Sequence, residues 1–154
     1  MQVTARVDYA LRAMVEISAR HRIGEPAVKG LSISEAQGIP KKFMENILLD
    51  LKHDGLVRTQ RGAGGGYKLA RPAGEISLAD VIRAVEGPLA NVRGEWPEEV
   101  SYEGAAESLY EVWIAVRASM RSVLESVTLE DVARGELPES VIELTRDQAA
   151  WRHH

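Results

Sequence analysis

Hydrophobic residues recur every three or four positions along most of the chain, and this spacing predicts a mainly α-helical protein. Near the amino terminus it predicts a helix that Thr4 caps and that runs to about His21. The apolar stripe expected on its core side consists of Val7, Leu11, Met14 and Ile17.

Two shorter helices are predicted next. Ser32 and Glu35 have the spacing of a capping box, which predicts a short helix that ends at Gly38. Pro40 suits the first turn of a third helix, which ends at Gly55. The apolar positions expected on its buried side are Phe43, Ile47, Leu48 and Leu51.

Between residues 55 and 72 the helical spacing is lost, and a β-hairpin is predicted instead. Two runs with strand character, residues 56–60 and 67–70, flank a tip that contains Gly62, Gly64, Gly65 and Gly66. Glycines are the residues that a hairpin tip with positive φ requires. From residue 56 to 71 there is no carboxylate, but there are four cations: Arg58, Arg61, Lys68 and Arg71. A basic hairpin suits a DNA backbone, although the same pattern also occurs as a solvated surface or a flexible loop.

The order of these elements favours nucleic acid. Two short helices joined by a tight turn and followed by a basic hairpin form a winged helix-turn-helix pattern. In that geometry the start of the second short helix meets base edges and phosphates, which places Lys41, Lys42 and Glu45 at the groove. Cations in a first helical turn oppose the helix dipole, so a nearby anion explains them better than solvent does. Nucleotide binding is set aside, because Tyr67 interrupts both glycine-rich phosphate motifs.

A fourth helix and a long loop are predicted after the hairpin. Ser77 and Asp80 form a capping pair that opens this helix, and Gly87 with Pro88 ends it. Residues 87–104 show no clean period. Two interpretations stay open for this loop: a surface excursion whose aromatic residues plug the core or a dimer, or a small-molecule or partner site.

Apolar residues then repeat at three and four over three heptads between residues 106 and 127. So long a seam needs another helix to cover it, and self-association is the simplest solution. The candidate dimerisation residues are Leu109, Trp113, Val116, Met120 and Val123. Residues 128–133 predict one more short helix, and residues 138–151 predict a weak helix with Val141, Ile142 and Leu144 on one side.

Charge is divided unevenly between the two halves of the chain. Residues 1–75 hold 12 Lys and Arg against 8 Asp and Glu, whereas residues 76–154 hold 7 against 15, so +4 and −8 sum to the net −4. Only the amino-terminal half is therefore expected to face phosphates.

Enzyme and metal chemistry find no support in the sequence. The chain has no cysteine, which excludes disulfides, thiolate nucleophiles and cysteine-ligated clusters. The histidines, which are His21, His53 and the terminal His153-His154 pair, lack zinc-site spacing. No apolar run approaches the roughly 18 residues of a membrane span, and no signal-peptide pattern appears. We therefore expect a soluble, cytoplasmic protein that is not an enzyme and holds no metal.

Four stretches resemble the Rrf2 family of bacterial transcription regulators. They are VDYALRAMVEI at 7–17, EAQGIPKKFMENIL at 35–48, LKHDGLVRTQRGAGGGYKLARP at 51–72 and ISLADVIRAVEGPL at 76–89. The resemblance covers roughly residues 1–127 and is densest in the first 90. It implies a winged helix-turn-helix that binds a palindromic promoter site as a homodimer.

The resemblance also implies particular contacts. It implies phosphate contact from Tyr9, groove contact from Lys41, Lys42 and Glu45, and minor-groove contact from Arg61 and the glycine tip. With the remaining hairpin cations, the candidate DNA-binding residues are Tyr9, Lys41, Lys42, Glu45, Arg58, Arg61, Gly64, Gly65 and Lys68.

One departure from the family concerns its iron–sulfur members. They place three cysteines in the segment that corresponds to the loop after residue 86, and this chain has none, so we expect no [2Fe-2S] cluster and no other cofactor. Asp8 matches a position from which some nitric-oxide-sensing members supply a further ligand. Without thiolates to complete such a site, we interpret Asp8 as a structural or ion-pairing residue.

The predicted fold is mainly α with a small β-hairpin. It comprises a winged helix-turn-helix domain (1–89), a loop (90–104), a dimerisation helix with a short helix after it (105–135) and a carboxy-terminal tail (136–154). The favoured function is a homodimeric, sequence-specific DNA-binding regulator, a repressor or an activator with the repressor favoured, with double-stranded DNA as partner and no membrane. The alternative is a module controlled through its acidic half by a small-molecule or protein effector.

Overall fold

Within residues 2–152, which the computed structural model describes, the chain forms seven α-helices and one two-stranded antiparallel sheet. The elements are α1 (Ala5–Arg22), α2 (Gly30–Gln37), α3 (Lys41–His53), β1 (Val57–Gln60), β2 (Gly66–Leu69), α4 (Leu78–Glu86), α5 (Leu109–Leu124), α6 (Leu129–Arg134) and α7 (Glu139–Arg146). Short 3-10 turns occupy Ala73–Glu75, Gly104–Ala106 and Gln148–Trp151. The predicted fold class is confirmed.

Helix α1 begins as its sequence predicts. The Val7 amide donates to the Thr4 hydroxyl at 3.2 Å, so Thr4 satisfies one of the donors that a helix start leaves free. Val7, Met14 and Ile17 are buried, and Leu11 packs against the core from a partly buried position. α1 therefore lies at the centre of the hydrophobic core.

The predicted start of α2 is wrong. The helix begins at Gly30, with Lys29 at its N-cap and no side-chain cap, so Ser32 and Glu35 form no capping box. The reason is a contact distant in sequence, because Val28 and Tyr67 exchange two backbone hydrogen bonds at 2.8 and 2.7 Å. This pairing fixes the chain two residues before the helix starts. Gly38 ends α2 in a left-handed conformation, as predicted.

Helix α3 buries three of the four predicted residues. Ile47, Leu48 and Leu51 lie in the core, but Phe43 is 38% exposed and Met44 occupies the buried position instead. The two apolar residues are adjacent, so the helical period alone did not determine which one faces inward. Phe43 is therefore left at the surface beside the first turn of α3.

The hairpin has the predicted place and sense. β1 and β2 pair antiparallel, with Val57 opposite Leu69 and Gln60 opposite Gly66. The Val28–Tyr67 pairing adds a short third segment along β2. The hairpin is thus anchored to the residues just before the helix-turn-helix.

Helix α6 returns to the amino-terminal core. Ser77 caps α4 in a capping box with Asp80, as predicted, and Thr128 caps α6 in a second one with Asp131. Next to these caps the Leu78 amide donates to the Val127 carbonyl at 2.9 Å. Leu129 is completely buried within the same hydrophobic cluster as α1, α3 and α4.

Helix α5 is shorter than the predicted seam and largely uncovered. It begins at Leu109, Ala106 lies in the preceding 3-10 turn, and the buried Val127 follows the helix. None of its residues is fully buried. The α5 surface therefore differs sharply from the tightly packed α1.

The carboxy-terminal segment is helical over a shorter stretch than predicted. α7 ends at Arg146, a separate 3-10 turn follows, and Leu144 is 60% exposed instead of sharing a packed face with Val141 and Ile142. His153 and His154 lie outside the described residues. No helix between residues 2 and 152 has the length and apolar character needed to cross a bilayer.

Candidate nucleic-acid interface

The turn between α2 and α3 is held by two reciprocal hydrogen bonds. The Ser34 hydroxyl donates to the Ile39 carbonyl at 2.7 Å, and the Ile39 amide donates to the Ser34 carbonyl at 2.9 Å. Both residues are buried. This turn fixes the start of α3, where Lys41, Lys42 and Glu45 are all exposed on the surface.

An aromatic cluster joins α1 to the first turn of α3. The Tyr9 and Phe43 rings meet edge to face, with 5.6 Å between their centroids. The Arg12 guanidinium lies 5.0 Å from the Tyr9 ring centroid, and Lys42 Nζ lies 5.3 Å from that of Phe43. The structure thus brings Tyr9 and Lys42, which the sequence predicts as DNA contacts, to one surface.

Arg12 also ties this cluster to the helix-turn-helix. Its guanidinium donates to the Gln37 carbonyl at 2.5 Å and pairs with the Asp8 carboxylate at 2.8 Å. Sequence reasoning missed Arg12 and assigned Phe43 to the core instead of to this cluster. The spacing of Asp8, Tyr9 and Arg12 on one helix face was the available signal, but the contact with Gln37 depends on tertiary structure.

A second polar link holds α2 against α1. Glu16 accepts hydrogen bonds from Arg20 at 2.6 Å and from Gln37 at 2.7 Å. Burial alone would raise the pKa of Glu16, but these hydrogen bonds and the charge of Arg20 outweigh burial and hold the pKa below its ordinary value. The carboxylate is therefore ionised at neutral pH.

The hairpin carries three of the predicted DNA-binding cations, Arg58, Arg61 and Lys68. Arg58 and Lys68 lie directly opposite each other in the strand register, which is an unfavourable arrangement for like charges without an anion nearby. Arg61 is exposed at the tip. Between α3 and β2 a groove of about 280 Å³ is lined in part by Lys41, Glu45 and Tyr67. The first turn of α3 therefore lies beside Tyr67 of β2 across this groove.

The predicted DNA-binding cations differ from most arginines of the protein in their ion pairing. Among residues 2–152, no carboxylate lies within salt-bridge distance of the five cations in question: Lys41, Lys42, Arg58, Arg61 and Lys68. By contrast, Arg117 contacts Glu98, and Arg121 contacts Glu125 at 3.0 Å. Positive charge is thus unneutralised on the α3 and hairpin surface.

The hairpin glycines have intramolecular roles. A Cβ at Gly65 would lie 2.4 Å from the Gln60 carbonyl oxygen, and one at Gly66 would lie 2.4 Å from that of Val28. Gly66 also has a φ of 148°, and the Gly65 amide already donates to the Gly62 carbonyl at 2.9 Å. Gly64, in contrast, is exposed with open space around it. Close packing within the hairpin is a sufficient reason for glycine at 65 and 66.

Comparison with known proteins identifies the family. The profile described as Rrf2, iron-dependent transcriptional regulator, matches residues 3–135. The chain belongs to the Rrf2 family. A candidate HTH-type transcriptional regulator of Mycobacterium tuberculosis H37Rv, Rv1287, is 49% identical over 156 residues, covering 99% of this chain and 96% of that protein. The HTH-type regulator CymR of Bacillus subtilis is 34% identical over 133 residues, covering 86% and 90%.

Solved Rrf2-type structures share the fold. The structure of CymR, the global cysteine regulator of B. subtilis, superposes with a TM-score of 0.73 at 32% identity and covers 87% of this chain and 97% of that one. IscR of T. potens gives a TM-score of 0.70 at 31% identity, with 88% of each chain covered. The protein is thus an Rrf2-type winged-helix transcription regulator that binds DNA, and not an enzyme.

The iron named in the Rrf2 description does not fit the residues present here. An iron–sulfur cluster is normally held by thiolates, and the chain has none. Across residues 2–152, no three His, Cys, Asp or Glu side chains are grouped to hold a metal ion. Asp8, the remaining family position, is paired with Arg12. The chain therefore lacks the thiolate ligands that normally hold an iron–sulfur cluster.

The predicted dimerisation residues lie in two environments. Leu109 is 41% exposed at the start of α5. Trp113 is half-buried, and its indole nitrogen donates to the Tyr102 hydroxyl at 2.9 Å. Val116, Met120 and Val123 are also half-buried. Trp113 thus faces Tyr102 in the chain's own loop, whereas Leu109 is exposed to solvent.

Proposed function

We propose that this Rrf2 protein is a homodimeric, cytoplasmic repressor that recognises a palindromic promoter site without an iron–sulfur cluster. The observation that carries the proposal is that five cations on α3 and the hairpin have no carboxylate within salt-bridge distance among residues 2–152. Such charge is suited to phosphate, because neutralising it releases counterions from DNA. The lack of thiolates supports independence from a cluster.

The predicted contacts divide into those that position the protein and those that read sequence. Lys41, Lys42 and Glu45 are proposed to meet major-groove edges, since they are exposed on the first turns of α3. Tyr9 is proposed to contact a phosphate beside them. The hairpin is proposed to lie along the minor groove through Arg58, Arg61, Gly64, Gly65 and Lys68.

Dimerisation is proposed to use α5. Leu109 and Val112 are 41% and 47% exposed, and the half-buried residues Trp113, Val116, Met120 and Val123 continue the seam. A second copy of the helix would cover this apolar surface, as two-stranded packing requires. Two copies of the α3 surface related by a two-fold axis would match a palindromic site.

A second candidate function is control by an effector through the acidic half. A cavity of about 470 Å³ separates residues 86–97 from α5, and its lining includes Arg93, Trp113 and Met120. That volume lies within the range of small-molecule sites. Arg93 is also the one non-glycine residue between positions 2 and 152 with a positive φ, at 55°.

Selection of genomic fragments by the purified protein tests the main proposal. The selected site should be palindromic. Lys41→Ala and Lys42→Ala should each relax base preference by about 1–3 kcal/mol at one or two positions of each half-site. Arg152→Ala is the matched control, because Arg152 is an exposed cation near the carboxy terminus.

The readout is affinity for the selected duplex and for each single-base variant of it. Unchanged preference in both lysine variants would contradict base reading by α3. An asymmetric selected site would contradict the two-fold arrangement. Loss of preference in Arg152→Ala as well would mean that charge removal acts without regard to position.

A further inference from the structure

A second cavity lies at the base of the hairpin. It occupies about 470 Å³ between the end of α1, the end of β2 with the segment after it, and α6. Its chemically distinctive lining residues are Ser18, His21, Arg22, Lys68, Arg71 and Glu130. Of these residues only Lys68 is also a proposed DNA contact.

Ser18 is the unusual residue of this cavity. Its exposure is only 1%, and its hydroxyl makes no hydrogen bond to any of residues 2–152. A buried hydroxyl without a partner is unfavourable, and nearly all buried polar groups in folded proteins are bonded. A ligand in the cavity that accepts a hydrogen bond would satisfy it.

Charge indicates which kind of ligand fits. Among residues 2–152, the Arg22 guanidinium hydrogen-bonds only to the Ala133 carbonyl, at 3.4 Å, and Arg71 lies 3.8 Å from the Asp80 carboxylate. Lys68 has an amide oxygen 3.5 Å away, and His21 adds a further donor. The opposing charge is Glu130, which is paired with Arg134 at 3.2 Å. The lining is therefore rich in cations and donors whose bonds are long or incomplete.

We propose that this cavity binds a small phosphate-bearing anion. Arginine and lysine bind phosphate oxygens through charge-assisted hydrogen bonds, and the Ser18 hydroxyl supplies a neutral donor from the interior. The cavity volume suits a small metabolite.

The site is placed to influence the hairpin. Lys68 lines the cavity and stands opposite Arg58 in the strand register. An anion here neutralises positive charge at the base of the hairpin, so it weakens the attraction of the hairpin for DNA phosphates. This regulatory consequence rests on the proposed DNA-binding surface, whereas the anion site itself does not.

Calorimetric titration of the full chain with pyrophosphate, in phosphate-free buffer at about 150 mM salt, tests the site directly. We expect saturable binding of one pyrophosphate per chain. Arg22→Gln should weaken it at least about tenfold, and Ser18→Ala should weaken it several-fold. Ser18→Ala should also leave the thermal midpoint of the anion-free protein unchanged or raised, because it removes an unbonded buried hydroxyl.

Three controls separate this proposal from the previous one. Arg152→Gln removes a cation elsewhere and should bind pyrophosphate normally. Lys41→Ala should lose DNA preference and keep pyrophosphate binding, so failure of the DNA proposal would leave this result intact. Arg22→Gln should bind the selected DNA with unchanged affinity when no pyrophosphate is present.

The proposal is overturned if pyrophosphate does not saturate, or if Arg22→Gln and Ser18→Ala bind it as the wild type does. It is also overturned if Arg22→Gln weakens DNA binding and lowers its salt dependence without pyrophosphate, because the cavity cations would then serve the DNA backbone. A lower thermal midpoint in anion-free Ser18→Ala would show a structural role for the hydroxyl and contradict its assignment as a ligand donor.

Discussion

Helices α1 and α5 have similar lengths, 18 and 16 residues, but opposite surroundings. α1 buries six of its residues, whereas α5 buries none. The charges differ in the same way, since the α3 and hairpin surface leaves its cations unpaired while α5 pairs Arg117 and Arg121 with carboxylates. The comparison shows that the winged-helix region has a fully packed core but carries cations without carboxylate partners. In the α5 region, by contrast, Arg117 and Arg121 are paired with carboxylates, but no residue of the helix is fully buried.

The largest expected effect tests whether α6 belongs to the packed region. Leu129→Ala should lower the free energy of unfolding by about 2–5 kcal/mol, because Leu129 is completely buried. Leu144→Ala is the matched control at 60% exposure and should change it by at most about 0.5 kcal/mol. Urea denaturation at one protein concentration measures both. Equal effects would contradict the assignment of α6 to the core.

A slightly smaller effect is expected where α5 lacks a partner. Leu109→Glu should weaken the proposed dimer about 100-fold, or about 3 kcal/mol, because a charge would be buried at the interface. Leu137→Glu is the control, at 40% exposure against 41% for Leu109. Sedimentation equilibrium gives both dissociation constants. A monomeric wild type, or an unaffected dimer in Leu109→Glu, would refute the role of α5.

Two hairpin glycines, Gly66 and Gly64, differ in the space available for a side chain. Gly66→Ala should destabilise the hairpin by about 1–3 kcal/mol, because its φ is 148° and the Val28 carbonyl oxygen blocks a Cβ. Gly64→Ala meets open space and should be tolerated. Hydrogen exchange at the Tyr67 amide is the readout. Comparable protection in both variants would mean that the close approach to Val28 is unimportant.

The smallest effect concerns the polar link between α1 and α2. The pKa of Glu16 is lowered from its ordinary 4.5, so its stabilising contribution is full above that pH and is lost as the pH falls through the folded value. Glu16→Gln should therefore cost about 1 kcal/mol at pH 7, and this cost should shrink as the pH falls below 4.5. The exposed Glu143→Gln should show no such change. A constant difference for Glu16→Gln at every pH would contradict the ionised link.

Local signals predicted the elements of the winged-helix region well. The Thr4 cap, the Ser77–Asp80 box and the hairpin glycines each act within a few residues, so the chain itself encodes them. The exchange of Phe43 for Met44 and the failed Ser32 cap show the limit. Both depend on contacts between segments distant in sequence, the first with Tyr9 and the second through the pairing of Val28.

In the candidate site, too, the features set by local sequence were predicted and the contacts between distant segments were not. The position of Lys41 and Lys42 at the start of α3 follows from the order of elements, which the sequence contains. The contact of Arg12 with the Gln37 carbonyl joins two helices, and the return of Leu129 to the core joins the two ends of the winged-helix region. No spacing rule predicts either contact, because both arise only when the helices pack.

The salt dependence of affinity for the selected duplex is the most direct test of the α3 and hairpin surface. A dimer making on the order of six to ten phosphate contacts should lose roughly 10³- to 10⁵-fold in affinity between 50 and 200 mM salt. Arg61→Ala should lower the slope by about one, and Arg152→Ala should leave it unchanged. Salt-independent binding, or the same slope in Arg61→Ala as in the wild type, would contradict the claim that these unpaired cations hold DNA.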